Sequence, residues 1–224
     1  MRSIPVKFFL FLFCFTLMAG AVWADGVTVQ NASFETSNPL TSGCGAGCAY
    51  NLGPIPGWTT SAGQSGSWQP SATYFNLPLP DGNIVTYTYG TLSQDLGALL
   101  ANTTYTLSVY VGDRLDGASG NFLVGLLVGG SSACSSGGAS SAIGGGLFAQ
   151  ETCSFTTGSA PAGDLSVFLA STGGGQGNFD NVSVSTSNSV PEPSSIQLLG
   201  AGLILGCLSL ALSARRLKLR QVAS

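Results

Sequence analysis

Apolar and polar positions alternate in short runs along the middle of the chain. In Thr104 to Val111, Tyr105, Leu107, Val109 and Val111 fall on one face, the two-residue period of a half-buried strand. Asn83 to Tyr89 gathers Val85, Tyr87 and Tyr89 in the same way. Residues 121–128 and 165–170 are more uniformly apolar, as strands of a covered sheet are. Residues 27–34 open the series and 179–184 close it, and 92–96 and 147–155 bring the expectation to about eight strands. No helical period survives between Asp25 and Val190. Turn residues between the runs predict an all-β fold, an antiparallel jelly-roll β-sandwich. Gly129 to Gly146 reads as a low-complexity mobile loop, and Thr172 to Gly177 as a flexible approach to the last strand.

The two ends follow other patterns. Arg2 and Lys7 precede an apolar run from Phe8 to Phe15, and small residues lead to Ala24, the layout of a signal peptide over residues 1–24. The sandwich is expected over 25–188. The tail, 189–224, holds Pro191-Glu192-Pro193, an uncharged stretch from Ile196 to Ala214 long enough for a transmembrane helix, and a basic end from Arg215 and Arg216 to Arg220. Bases directly after such a helix predict that this end stays in the cytoplasm while the body is exported.

The overall charge of −3 hides a sharper asymmetry. Between Asp25 and Val190, Arg114 is the only base against nine acids, which excludes neutralising a run of nucleic-acid phosphates. The chain has no His, which removes Ser-His-Asp triads, His-ligated zinc and imidazole acid–base chemistry. Its 32 Gly argue for turns over helices. Four of the six Cys lie in the body, and export to an oxidising compartment favours disulfides. Of three pairings, Cys44–Cys48 and Cys134–Cys153 are favoured, each closing a Gly-rich segment.

Two carboxylates stand out. Glu35 follows the first run, and Asp180 opens the last one on the same two-residue face as Val182 and Val184, the face expected to be buried. A buried carboxylate needs a partner, and Ca2+, held by carboxylate and carbonyl oxygens, is a fitting one. Trp58, Trp68, Tyr74, Tyr87, Tyr89 and Tyr110 are amphipathic rings suited to ligand contact. Trp68 and Tyr74, in the polar, Pro-rich stretch 63–80, are the ones expected to be exposed. Arg114, with Asp113 and Asp116, is expected in a surface ion pair that fixes a loop, with substrate gripping by Arg114 as the alternative.

Three resemblances add to this reading. The Pro191-Glu192-Pro193 tripeptide, the apolar stretch and the Arg-rich end together resemble the PEP-CTERM sorting signal of Gram-negative bacteria. That resemblance implies an exosortase-type membrane protease as partner, passage through the inner membrane, and a cell-surface or extracellular-matrix destination. The opening Asn31-Ala32-Ser33-Phe34-Glu35, Pro56-Gly57-Trp58 and the closing Phe179-Asp180-Asn181-Val182 resemble jelly-roll carbohydrate-binding modules and galactose-binding-like domains. It implies a structural Ca2+ on Glu35 and Asp180. An extracellular polysaccharide or glycan is the expected ligand, and the residue types make Trp58, Trp68, Tyr74, Tyr87 and Tyr89 the candidate binding rings. Ser93-Gln94-Asp95-Leu96, residues 101–107 and Val111-Gly112-Asp113-Arg114 are similar to a jelly-roll group that includes cyanobacterial terpenoid-indole cyclases. Those imply a buried carboxylic acid, here Asp180, as proton donor, and aromatics that stabilise cationic intermediates. The leading expectation is a non-catalytic, calcium-stabilised binding protein at the cell surface. The alternatives are a cyclase or lyase using Asp180, and a purely structural matrix protein.

Overall fold

The computed structural model describes residues 27–61 and 63–188. The signal segment, the Pro191-Glu192-Pro193 motif, the transmembrane stretch and the basic end lie outside the described residues. Among the described residues no helix is long and apolar enough to cross a membrane.

The strands are β1 (Ser42–Gly43), β2 (Ala49–Tyr50), β3 (Thr59–Ser61), β4 (Ser65–Gln69), β5 (Val85–Thr88), β6 (Thr91–Ala98), β7 (Thr103–Gly112), β8 (Asn121–Val128), β9 (Ser131–Ala139), β10 (Phe148–Thr156), β11 (Asp164–Thr172) and β12 (Gly177–Asn188). They form a seven-stranded sheet, β1-β2-β4-β5-β12-β7-β10, and a five-stranded sheet, β3-β6-β11-β8-β9. All the pairings between these strands are antiparallel, the arrangement of a jelly-roll sandwich. The main core lies between the sheets. Tyr105, Leu107, Val109 and Val111 of β7 face Leu165, Val167 and Leu169 of β11 and Val124 and Leu126 of β8 across it. A smaller apolar cluster of Trp68, Phe75, Val85 and Tyr87, with Tyr74 and Phe148 against it, covers part of the opposite face of the seven-stranded sheet.

Several expectations change. Residues 27–34 make only an isolated bridge from Val27 to Val184 and then turn. Asn31 and Phe34 have φ of 48° and 58°, left-handed backbone that ends any extended run. The expected mobile loop at 129–146 is largely strand β9, which pairs with β8 from Val128–Ser131 to Asn121–Ala139. Its Ser, Gly and Ala residues carry no period, so its partner strand sets its structure. The expected disulfides are both present. Cys134–Cys153 joins β9, the edge of one sheet, to β10, the edge of the other. Such a closure of about 20 residues contributes roughly 3 kcal/mol by limiting the unfolded chain. A Cys134→Ser/Cys153→Ser variant is therefore expected to lose about that much stability in urea unfolding. An unchanged midpoint would show that the sandwich holds these edges without it.

Candidate functional site

The site lies on the face of the seven-stranded sheet turned away from the main core. Pairing fixes its rows. Gly66, Tyr87, Asn178, Gly112 and Phe148 are successive neighbours across β4, β5, β12, β7 and β10. Trp68 pairs with Val85, and Asp180 with Tyr110, in the row beside it. The rings of Phe148 and Phe75 press on Gly112, where an added Cβ would lie 2.6 and 2.8 Å from them. Phe75 and Phe148 are 4.7 Å apart, and Trp68 meets Tyr74 edge-on at 5.1 Å.

These rings border a cavity of about 330 Å³ lined by Tyr50, Trp68, Tyr74, Tyr87, Tyr89 and Arg114, with Cys44, Leu52, Gln64 and Gln176. The Cys44–Cys48 hairpin forms one wall. Trp68 Nε1–H donates to Cys48 Sγ at 3.1 Å, and the Tyr74 hydroxyl donates to the Cys44 carbonyl at 3.2 Å. Tyr87 donates its hydroxyl proton to Asn51 O at 2.7 Å. Burial, with Tyr50 and Tyr89 adding to it, pushes the Tyr87 phenol up to about 12, so it stays neutral throughout the ordinary pH range. The walls are thus ring faces and edges around a few fixed polar groups, suited to a flat apolar species.

The structure brings four of the five expected ligand-contact rings together here: Trp68, Tyr74, Tyr87 and Tyr89. Trp58 is elsewhere. It packs on Phe34 at 5.4 Å in the main core, so its expected contact with a ligand is replaced by core packing. Trp68 is also less open than expected. It lies on strand β4 with only 4% of its surface exposed, whereas Tyr74 is half-buried. Arg114 is no surface group either. It stacks over Trp68 and Tyr74, at 4.9 and 5.1 Å from their centroids. Asp116 grips it, and that bond holds the Asp116 carboxyl below its usual range. Tyr50, Gln176 and Asn178 escaped the sequence reading. The one available signal was that the body's single base had to be placed somewhere.

Glu35 and Asp180 converge on a different feature, the loop 81–84. Glu35 Oε1 accepts from Asn83 N at 2.8 Å and from Ile84 N at 2.7 Å, while Asp180 Oδ2 accepts from Asp81 N at 3.0 Å. Gly82, at φ 59°, lets the Glu35 carboxylate close over it, where a Cβ would lie 2.3 Å away. Asp180 does not share a face with Val182 and Val184. A bulge between Asp180 and Ser183, with Asn181 at φ 46°, reverses the alternation. Phe179, Val182 and Val184 point into the main core, and Asp180 points the other way, opposite Tyr110. It is nevertheless fully buried. Burial, reinforced by the charges of Asp81 and Glu35 and opposed by its two backbone N–H partners, raises its carboxyl to about 7.

Asp180 does not line the aromatic cavity. It lies four residues beyond the cavity residue Gln176, roughly 13 Å along the chain. Asn178 lies between them on the two-residue period, fully buried, with neither side-chain nitrogen nor oxygen hydrogen-bonded. The chemistry around Glu35 and Asp180 suits a hard cation, since all the side-chain ligands on offer are oxygens. Among the described residues, however, no three His, Cys, Asp or Glu side chains gather closely enough to hold a metal.

The chain is similar to several known proteins. The HpiC1-like family, described as HpiC1 cyclase, matches residues 25–185, well over half of the chain. A crystal structure of a cyclase from Fischerella sp. TAU is 23% identical, covers 74% of this chain and 98% of its own, and superposes with a TM-score of 0.61. A family 16 carbohydrate-binding module covers 58% of this chain and 91% of its own, at 14% identity and a TM-score of 0.41. The tandem family 22 modules of Paenibacillus barcinonensis Xyn10C cover 79% of this chain and 49% of their own, at 14% identity and 0.44. No curated protein matches the chain. The expectation of a non-catalytic body is therefore corrected by a family match that spans nearly the whole sandwich: the chain belongs to the HpiC1-like cyclase family.

Proposed function

We propose that this protein is an acid-initiated cyclase whose reaction chamber is the aromatic cavity. The observation that carries this reading is the family match over residues 25–185 together with the ring-walled cavity on that same body. The substrate class we assign is an unsaturated terpenoid joined to an indole. Protonation of its alkene forms a carbocation, attack by a second π-bond closes a ring, and loss of a proton leaves an isomer of the starting material. That balance needs no oxidant, reductant or cofactor.

Tyr87 and Tyr89, two cavity rings that Arg114 does not sit over, present faces and edges to the positive charge as it forms, while Trp68 and Tyr74 shape the chamber. Asp180 is the proton source. A carboxyl raised to about 7 is largely protonated in mildly acidic solution, as a general acid must be. Asn178, buried between Asp180 and the cavity residue Gln176 with its side-chain amide unbonded, marks the route by which that proton would have to reach the cavity. The experiment is incubation of the purified full-length protein with prenylated or geranylated indole alkenes. The expected result is a product of unchanged mass and altered chromatographic mobility. Recovery of only starting material across the series would remove the cyclase reading.

A second role is proposed for the same region. Glu35 and Asp180, bonded to one loop with no ion-pair partner among the described residues, are suited to a structural Ca2+, with carbonyl oxygens completing the shell. A dication would keep Asp180 ionised, so one copy of the protein cannot use both arrangements at once. A glycan remains the ligand to try if the alkenes fail. Export, sorting by an exosortase-type protease and a place at the cell surface or in the polysaccharide matrix complete the proposal.

A further inference from the structure

Arg114 is the only base between Asp25 and Val190, and the fold places it in the wall of the aromatic cavity. Its side chain is 13% exposed. The guanidinium is fixed by three hydrogen bonds. Nε donates to Asp116 Oδ1 at 2.8 Å, Nη2 to Asp116 Oδ2 at 2.5 Å, and Nη1 to Gln176 Oε1 at 2.6 Å. Its Cζ sits over the rings of both Trp68 and Tyr74.

The backbone beneath is fixed as firmly. Arg114 N donates to Ser119 Oγ at 2.8 Å, and Gly120 N and Gln176 N exchange 3.0 Å bonds with Gln176 O and Ala118 O. A Cβ on Gly175 would lie 2.3 Å from Gly120 N, so this close approach of two chain segments depends on glycine.

A guanidinium carries five N–H donors in a rigid fork. The three bonds above leave one N–H on Nη1 and one on Nη2, held at a wall whose neighbours are tyrosine rings. Asp116 offsets most of the positive charge, so direction, more than net charge, distinguishes this spot from the rest of the cavity. An oxygen acceptor meeting the fork gains charge-assisted hydrogen bonds, while an ammonium, itself only a donor, gains none from Arg114.

We propose that the cavity takes a flat ring ligand bearing a carbonyl or carboxylate oxygen at the end that meets Arg114, with Arg114 as the specificity-determining residue. This rests on the cavity being the substrate site, but it does not depend on which reaction follows.

Calorimetric titration of the full-length protein with naphthalene, 2-naphthamide, 2-naphthoate and 2-naphthylmethylammonium tests it without turnover. The amide and the carboxylate are expected to bind at least about tenfold tighter than the bare ring, with the ammonium weakest. Arg114→Met, which keeps a side chain over Trp68 but has no donors, is expected to bring all four within about twofold. If that variant does not fold, Arg114→Lys serves instead: it retains the charge but not the fork, and is expected to lose the preference for the amide. An ammonium probe binding as tightly as the carboxylate, an unchanged ranking in the variant, or no binding by any probe would overturn the proposal. Failure of the alkenes to cyclise, with this ranking intact, would count against the reaction and not against the role of Arg114.

Discussion

Asp180→Asn is expected to lower turnover by about 10²–10⁴-fold, the usual worth of a positioned general acid. The substitution preserves shape in a fully buried position but leaves nothing to donate to an alkene. Its structural cost is limited. The carboxyl accepts from both Asp81 N and Asn181 N, and an amide can serve only one of these donors through its oxygen. One backbone N–H then loses its partner, at about 1–3 kcal/mol. The protein should therefore remain folded, with its near-ultraviolet dichroism unchanged, while product formation falls. Wild-type rates in the variant would show that Asp180 is not the acid.

The second large effect is on stability against pH. The Asp180 carboxyl titrates near 3.8 when unfolded and near 7 when folded, so between those values the native state binds the extra proton. Stability is then highest on the acid side and falls as pH rises from about 4 towards 7. Each pKa unit is worth about 1.4 kcal/mol, so the loss approaches about 4 kcal/mol from this group alone. With divalent ions chelated, the melting temperature should drop across that window, and Asp180→Asn should flatten the slope. Calcium added above pH 7 separates the two proposed roles. A rise in melting temperature that disappears in Glu35→Ala and Asp180→Ala would assign these carboxylates to an ion. No response to calcium, with the pH slope intact, would leave Asp180 as a protonated acid.

How legible the molecule was in its sequence depended on periodicity. Strand β7 was plain because its alternation is strict, and it is the strand on which the core is built. β4 was not. Trp68 is its only large apolar residue, and Ser65, Gly66 and Ser67 are buried by segments that cover both faces, which no local pattern records. β9 was hidden for a related reason, since Ser and Gly take their conformation from β8. The face of Asp180 was misread because a bulge shifts the period by one residue at the point where the argument depended on it. Burial was expected for the wrong face and is reached by another route, under the 81–84 loop. The aromatic cavity was partly foreseeable as a set of residue types. The elements that enclose it, a disulfide hairpin and an arginine clamped by Asp116, depend on contacts between distant segments. The balance between binding and catalysis was misjudged because both readings share these rings, and only the family match separates them.

The most direct test of the cyclase account is to run the reaction in heavy water and examine the product by mass spectrometry and NMR. The account predicts one carbon-bound deuteron at the former alkene, in a product otherwise isomeric with the substrate, and no such product with Asp180→Asn. A cyclised product free of solvent deuterium would contradict acid initiation. Equal deuteration by the wild type and the variant would contradict the assignment of Asp180.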